Sequence, residues 1–437
     1  MKNISAIFLL SFSFSTVFAE DLLTVYQLAI QNDPTFRAAE AEYRAQLESK
    51  TQSVATLLPT ISASAHYSEQ NNETVGGSSP GTQDYKTNGY NLSLTQPIYR
   101  QANFVALSQA DATVAQAEAN YQNSQQDLIL RVTTQYFAVL AAKDDLAFAK
   151  AERKAIKEQL IQTQQRFNVG LIAITDVHEA QARYDQAVAS AIIAENTLSI
   201  SREILKEITS KYHESLSPLS IELPLIRPEP ADIDQWIETA KAQNALLMAN
   251  IKNVDIARDE VSRQRAGHYP TLDLTASKTY TDYGTGVAIG TGASETDNNS
   301  ISLQLNVPLY QGGIVNSRTR AAAYRLEQAR ENLEQQKRAT ERQTRNSYLS
   351  VIAGISTVKA LRQALASSTV ALEATQAGFE VGTRTAVDVL NSQRELYRAR
   401  RGYAQVRYAY VLETLKLKLA AGTLSVVDLE QLNPWLK

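Results

Sequence analysis

The residues able to do chemistry in this 437-residue chain are few and scattered. Cysteine is absent, and His66, His178, His213 and His268 stand far apart, none with a second ligand at metal-binding spacing. No nucleophile motif is present. Gly284, Gly286 and Gly290 lie in a glycine-rich stretch, but their spacing is wrong for a phosphate loop and no helical pattern follows. The sequence therefore predicts no enzyme, no metal and no cofactor. Two carboxylates remain, Asp176 and Asp388, each six residues beyond a glycine, Gly170 and Gly382. At the start of a helix a carboxylate caps free N–H groups and opposes the helix dipole.

These residues recur because the chain is duplicated. Leu58-Pro59-Thr60-Ile61 returns as Tyr269-Pro270-Thr271-Leu272, and Gln96-Pro97-Ile98-Tyr99 as Val307-Pro308-Leu309-Tyr310. Phe167-Asn168-Val169-Gly170 returns as Phe379-Glu380-Val381-Gly382, and Asp176-Val177 as Asp388-Val389. The offsets are 211, 211, 212 and 212 residues, a constant period across unrelated motifs. Four of the 11 prolines crowd between Pro218 and Pro230, which predicts an extended connector. The expected division is a signal peptide over 1–19, a first repeat over 20–212, a linker over 213–231, a second repeat over 232–423 and a C-terminal segment over 424–437. The signal peptide rests on Lys2, the apolar run Ile4–Val17 and small residues before a cleavage point after Ala19. Beyond it no run is long and apolar enough for a membrane helix, so any membrane must be crossed by strands. A net charge of −3 gives no reason to expect nucleic acid.

Each repeat reads as helix, strand, loop, strand, long helix, turn, long helix. Ile301, Leu303, Leu305, Val307 and Leu309 alternate with Ser302, Gln304, Asn306 and Pro308; Tyr90, Leu92 and Leu94 alternate with Asn91, Ser93 and Thr95. Such strands fit a sheet between lipid and water, or a soluble sheet with one wet face. Gly/Ser/Asn-rich loops are expected over 70–89 and 282–300. Residues 98–169 hold no Gly or Pro, roughly 100 Å if wholly helical, and 171–217 are a second such stretch. Leu107, Val114, Tyr121 and Leu128 form a heptad seam with the small Ala110, Ala117 and Ser124 three later. The second repeat carries a blurred copy of this seam, interrupted by Gly354. With 59 Ala and few bulky residues, the helices suit either a coiled-coil rod or a wall of helices. Four strands cannot close a membrane barrel alone, so chains must pool them, two giving eight strands and three giving 12.

The segments Arg166–Val177 (RFNVGLIAITDV), Pro270–Ser277 (PTLDLTAS), Tyr310–Ser317 (YQGGIVNS) and Val381–Leu390 (VGTRTAVDVL) resemble the TolC family of outer-membrane efflux channels, and the resemblance covers the whole mature chain. It implies an α+β membrane protein. Three chains would form a 12-stranded β-barrel in outer-membrane lipid, continued by a periplasmic 12-helix α-barrel with an equatorial belt. The implied function is an exit duct for tripartite multidrug efflux and type I protein secretion, passive and gated at its periplasmic tip. The partners would be a second and third copy, a periplasmic adaptor and an inner-membrane pump of RND, ABC or MFS type. A periplasmic structural or adaptor-like coiled coil is the rival reading. The resemblance places Thr175, Asp176, Phe379, Arg384, Asp388 and Asn391 at the aperture gate, and Val169, Gly170, Leu171, Val381, Gly382 and Thr383 in the turns that receive the adaptor. Phe379 stands where the family often has Tyr, and Asn391 where it often has a second Asp. Those departures imply a lost phenolic hydrogen bond to Asp176, a weaker latch and a single carboxylate ring.

Overall fold

The structure, a computed structural model, describes residues 19–75, 81–284 and 295–436. The signal segment (bar Ala19), Gly286 and Gly290 lie outside the described residues. In chain order the elements are α1 (Leu22–Asn32), α2 (Pro34–Ala55), β1 (Thr60–Thr74), β2 (Gly81–Arg100), α3 (Gln101–Asn168), α4 (Ile174–Thr209), α5 (Ile233–Gln243), α6 (Ala245–Arg265), β3 (Thr271–Asp282), β4 (Glu295–Asn306), α7 (Ile314–Glu380), α8 (Ala386–Ala421) and α9 (Val426–Leu432). The same run of helix pair, strand pair and two long helices therefore occurs twice. The leading helix of each repeat is split rather than single. Asp33, forced toward extended backbone by Pro34, ends α1, and Asn244 takes nearly the same angles between α5 and α6.

The chain forms two compact units, each drawing on both repeats. One joins Glu40–Tyr121 with Ala245–Arg338; the other joins Gln122–Asn244 with the segments before Glu40 and after Arg338. The first unit holds a single antiparallel sheet in the order β1-β2-β3-β4, so the β2–β3 pairing ties one repeat to the other. The outer edges of β1 and β4 have no partner strand among the described residues. Side chains sort by face. Ser62, Ser93, Ser277 and Ser300 lie in one row across all four strands, with hydroxyl contacts of 2.7 Å and 2.9 Å at the two outer pairs. Thr275 and Ser302 meet at 2.7 Å one row away, and Thr279 donates to Asn91 at 2.9 Å on the other side. The opposite face carries Ile61, Leu94, Ala276 and Ile301 in one row, with Leu303 and Leu305 beyond. Ile301 is 81% exposed, so this apolar face is uncovered in the single chain. The expected alternation thus holds, and neither face is buried by the chain's own helices.

Four boundaries differ from the sequence reading, among them the loop expected over 282–300, of which Asp282 is in β3 and residues 295–300 are in β4. Residues 98–100 belong to β2, not to the helix. The strand runs on through an irregularity between Pro97 and Tyr99, and Arg100 clamps Asp273 on β3 with two bonds of 2.9 Å and 2.8 Å. Val307 and Leu309 fall outside β4, because Pro308 has no N–H to continue a ladder; the positive φ of Gly312 and Gly313 then turns the chain into α7. Most of the expected loop over 70–89 is strand, since pairing continues to Thr74–Gly81. Gly354, which interrupts the seam, lies within α7 against Tyr410 on α8, where a side chain would make ordinary contact.

The second unit has the deeper core. Leu22, Val25, Tyr136, Phe137, Leu140, Leu205, Leu415 and Leu429 are all essentially inaccessible. The proline-rich stretch 213–231 contains no helix, as expected, and is pinned by bridges Glu20–Leu216 and Leu219–Leu436. His213 has a partner distant in sequence. It is buried, with one ring nitrogen 2.5 Å from the Glu20 carboxylate and the other 2.8 Å from the Thr209 hydroxyl. Buried Asp33 pairs with Arg131, and Asp428 with Lys418.

Candidate functional site

Both helical hairpins end in turns built the same way. In the first, Gly170 (φ 77°) donates to the Phe167 carbonyl at 2.8 Å and Leu171 to that of Arg166 at 2.9 Å. In the second, Gly382 (φ 79°) donates to Phe379 at 3.2 Å and Thr383 to Gly378 at 2.8 Å. This 5→2 and 6→1 pattern is a Schellman cap, and it needs the left-handed residue that glycine supplies. Capping therefore accounts for both glycines, and it leaves the flanking side chains facing water. Val169, Leu171 and Val381 are 70%, 72% and 76% exposed, an unusual place for three branched apolar residues. A Cβ added at Gly170 or Gly382 meets nothing, whereas one at Gly422 would lie 2.3 Å from the Gln243 carbonyl. Gly170→Ala and Gly382→Ala are therefore expected to cost only the left-handed strain, about 1–2 kcal/mol each. Gly422→Ala is expected to lower the melting temperature far more, which thermal unfolding of the three variants would compare.

The two returning helices start differently. At α8, Thr385 and Asp388 form a capping box: the Asp388 N–H donates to the Thr385 hydroxyl at 3.2 Å, and the Asp388 carboxylate accepts from the Thr385 N–H at 2.9 Å. That backbone bond, the Thr385 hydroxyl and the nearby Arg384 charge hold the Asp388 carboxyl below the usual carboxylate range. Within one chain the shift is thus opposite in sign to that expected from a ring of like charges. At α4 the cap position is Ala173, with no side-chain bond, and Asp176 only donates its N–H to Ala173 at 3.2 Å. The capping role is therefore filled at Asp388 and not at Asp176.

Phe379 is buried against Leu372, Ala386 and Val389, and the Arg166 guanidinium sits 4.1 Å from its ring centroid. A cation–π contact thus ties the α3–α4 hairpin to the α7–α8 hairpin without any phenolic oxygen. Arg166 has no assigned role in the sequence reading: it belongs to the RFNVG segment, but nothing along the sequence tells which ring it will cover. Gln159 and Gln393 are both buried, and among the described residues the amide nitrogen of the first and the oxygen of the second have no hydrogen-bond partner. Thr175 and Arg384 are exposed, Asp176 and Asn391 half-buried. Among the described residues no side-chain hydrogen bond or ion pair joins Arg384 to Thr175 or Asp176 within the chain. Its aliphatic stem instead covers Gly378, where a Cβ would come 2.8 Å from the Arg384 Cγ. Among the described residues no cluster of potential metal ligands occurs, and no helix is long and apolar enough to cross a membrane.

The outer membrane efflux protein family matches the chain twice, over residues 25–210 and 236–423. Outer membrane protein TolC of Vibrio cholerae serotype O1 is 39% identical over 423 residues, 97% of this chain and 95% of that protein. TolC of Escherichia coli K12 is 37% identical over 430 residues, 95% of this chain and 85% of that one. The alkaline protease secretion protein AprF of Pseudomonas aeruginosa is 30% identical, covering 94% and 86%. The solved Campylobacter jejuni CmeC outer membrane channel superposes with a TM-score of 0.79 at 16% identity over 95% of this chain and 90% of that one. This chain belongs to the outer membrane efflux protein family, and its fold is that of the family's outer-membrane channels.

Proposed function

We infer that the chain is an outer-membrane exit duct serving tripartite efflux and type I secretion, working as a homotrimer with a periplasmic adaptor and an inner-membrane pump. The observation that carries this is the unfinished sheet. Four strands leave two unpaired edges, one face is apolar and uncovered, and the other is a field of Ser, Thr and Asn. In lipid an open edge is untenable, so three chains pool 12 strands around a polar bore. Repeats 20–212 and 232–423 then alternate around that bore, joined by the linker 213–231. The relatives named for protease secretion, AprF and PrtF of Dickeya chrysanthemi, support protein export beside efflux. The periplasmic coiled-coil alternative leaves the exposed apolar strand face without a purpose. Deleting the gene tests the reading: drug accumulation should rise and secreted protein should fall. Normal values for both would refute it.

In the trimer the turns with exposed Val169, Leu171 and Val381 receive the adaptor, together with Gly170, Gly382 and Thr383. Arg384 joins Thr175 and Asp176 in the links that hold the aperture shut, a role consistent with the exposure of Thr175 and Arg384. Asp388 contributes one carboxylate per chain to a ring, with neutral Asn391 beside it. The ring raises the Asp388 pKa while the capping box lowers it. Because the cap depresses the folded value, its stabilising effect is present above the ordinary carboxylate pKa and is lost as pH falls through the lowered one. Hexamminecobalt should block ion current through the purified channel. Asp388→Asn should relieve the block and Asn391→Asp should strengthen it, as planar-bilayer recordings would register.

A further inference from the structure

An open groove of about 890 Å³ lies where the 218–222 stretch faces α3, α7 and α8. Its floor is apolar, from Phe148, Leu219 and Leu365, and two arginines of α8 line it, Arg400 and Arg407. Arg407 is only 6% exposed. One of its terminal nitrogens donates to the Ser220 carbonyl at 3.0 Å, its guanidinium packs 5.2 Å from the Tyr403 ring centroid, and its Nε has no acceptor. Among the described residues neither arginine forms an ion pair; Arg400 rests on the Tyr397 ring at 5.3 Å. Of the two acids lining the groove, Asp144 already accepts from the Tyr408 hydroxyl at 2.7 Å, and Glu222 is exposed. A buried guanidinium without a counter-charge is costly, and its planar fork of donors matches a carboxylate.

We propose that this groove is a binding site for small amphipathic carboxylates, the acid group seated on Arg407 and Arg400 and the apolar body against Phe148 and Leu365. The volume falls in the range of small-molecule sites, and an apolar wall with a few convergent charged donors is their usual make-up. A carboxylate at Arg407 supplies the missing acceptor and the missing charge together, which a neutral analogue cannot do. The site is separate from the turns and the gate and does not depend on how either works.

Equilibrium dialysis of the full-length protein in a neutral detergent would test this, with 4-phenylbutyrate as probe and 4-phenylbutanol as its neutral match, each corrected for micelle uptake. The expected result is saturable binding at one site per chain, at least tenfold tighter for the acid and weakened by added salt. Arg407→Gln should weaken the acid at least tenfold and leave the alcohol unchanged. Should that variant fail to fold, Arg400→Gln, which removes no hydrogen bond, is expected to weaken the acid at least threefold. Equal binding of acid and alcohol would overturn the proposal. So would acid binding that folded arginine variants retain in full, or an absence of saturable binding.

Discussion

Ile301→Arg is expected to abolish the membrane-inserted trimer, whereas Ser300→Arg, one residue earlier on the same strand, is expected to leave it intact. Both side chains belong to β4 and both lie midway between aromatic rows. Tyr90 and Tyr280 stack at 5.4 Å toward one end of the sheet, and Tyr99 stands nine residues from Tyr90 along β2. Nine residues of strand rise about 30 Å, and a tilt near 40° reduces that to about 23 Å along the membrane normal. That is close to the height of a barrel's apolar band; the row Ile61–Leu94–Ala276–Ile301 sits near its middle, one same-face step from Lys278, whose charge is paired with Asp297 at 3.2 Å.

An arginine on the lipid side at that depth costs about 2–4 kcal/mol per chain, so about 6–12 kcal/mol in an assembly of three. Ser300 faces the other way, in the serine row, and loses only its contact with Ser277, worth about 1 kcal/mol. Three arginines there should line the bore and turn ion preference toward anions. The measurements are heat-resistant trimer on gels, recovery in the outer-membrane fraction, and reversal potential in a salt gradient. If Ser300→Arg were the lethal change and Ile301→Arg the harmless one, the two faces would be assigned the wrong way round.

Much of this fold is legible along the chain because its signals are local. A period of two marks the strands, a run without Gly or Pro marks the helices, and a glycine before a Thr- or Asp-bearing segment marks each turn. Much of what is not legible depends on contacts between residues distant in sequence. Residues 98–100 stay in the sheet because Arg100 finds Asp273, 173 positions away. Asp388 and Asp176 look equivalent in sequence, but only the former has a threonine at the cap position; the latter has Ala173 there, and so is left unused by its own helix. His213 looks solitary and closes against Glu20, 193 positions earlier. Phe379 looks like a lost hydrogen bond, while the structure gives its ring another partner.

That partner sets the second large effect. Removing the Arg166–Phe379 contact is expected to open the channel. A cation–π contact that is partly desolvated is worth about 0.5–2 kcal/mol, and this one joins the two hairpins that the proposed opening would draw apart. At about 1 kcal/mol in each of three chains, its loss shifts the closed-to-open ratio by about two orders of magnitude. Arg166→Gln and Phe379→Leu should each raise single-channel conductance severalfold, and the double variant should do no more than either alone, because both delete one interaction. Phe379→Tyr keeps the ring face and should leave the channel shut. Asp388→Asn separates this latch from the cap: it should relieve cation block without matching the conductance gain, since Asp388 holds Thr385 of its own helix rather than the other hairpin. If Phe379→Leu conducted like the unmodified channel while an Arg384 variant opened it, closure would rest on contacts between chains, and the aromatic contact within each chain would serve packing alone.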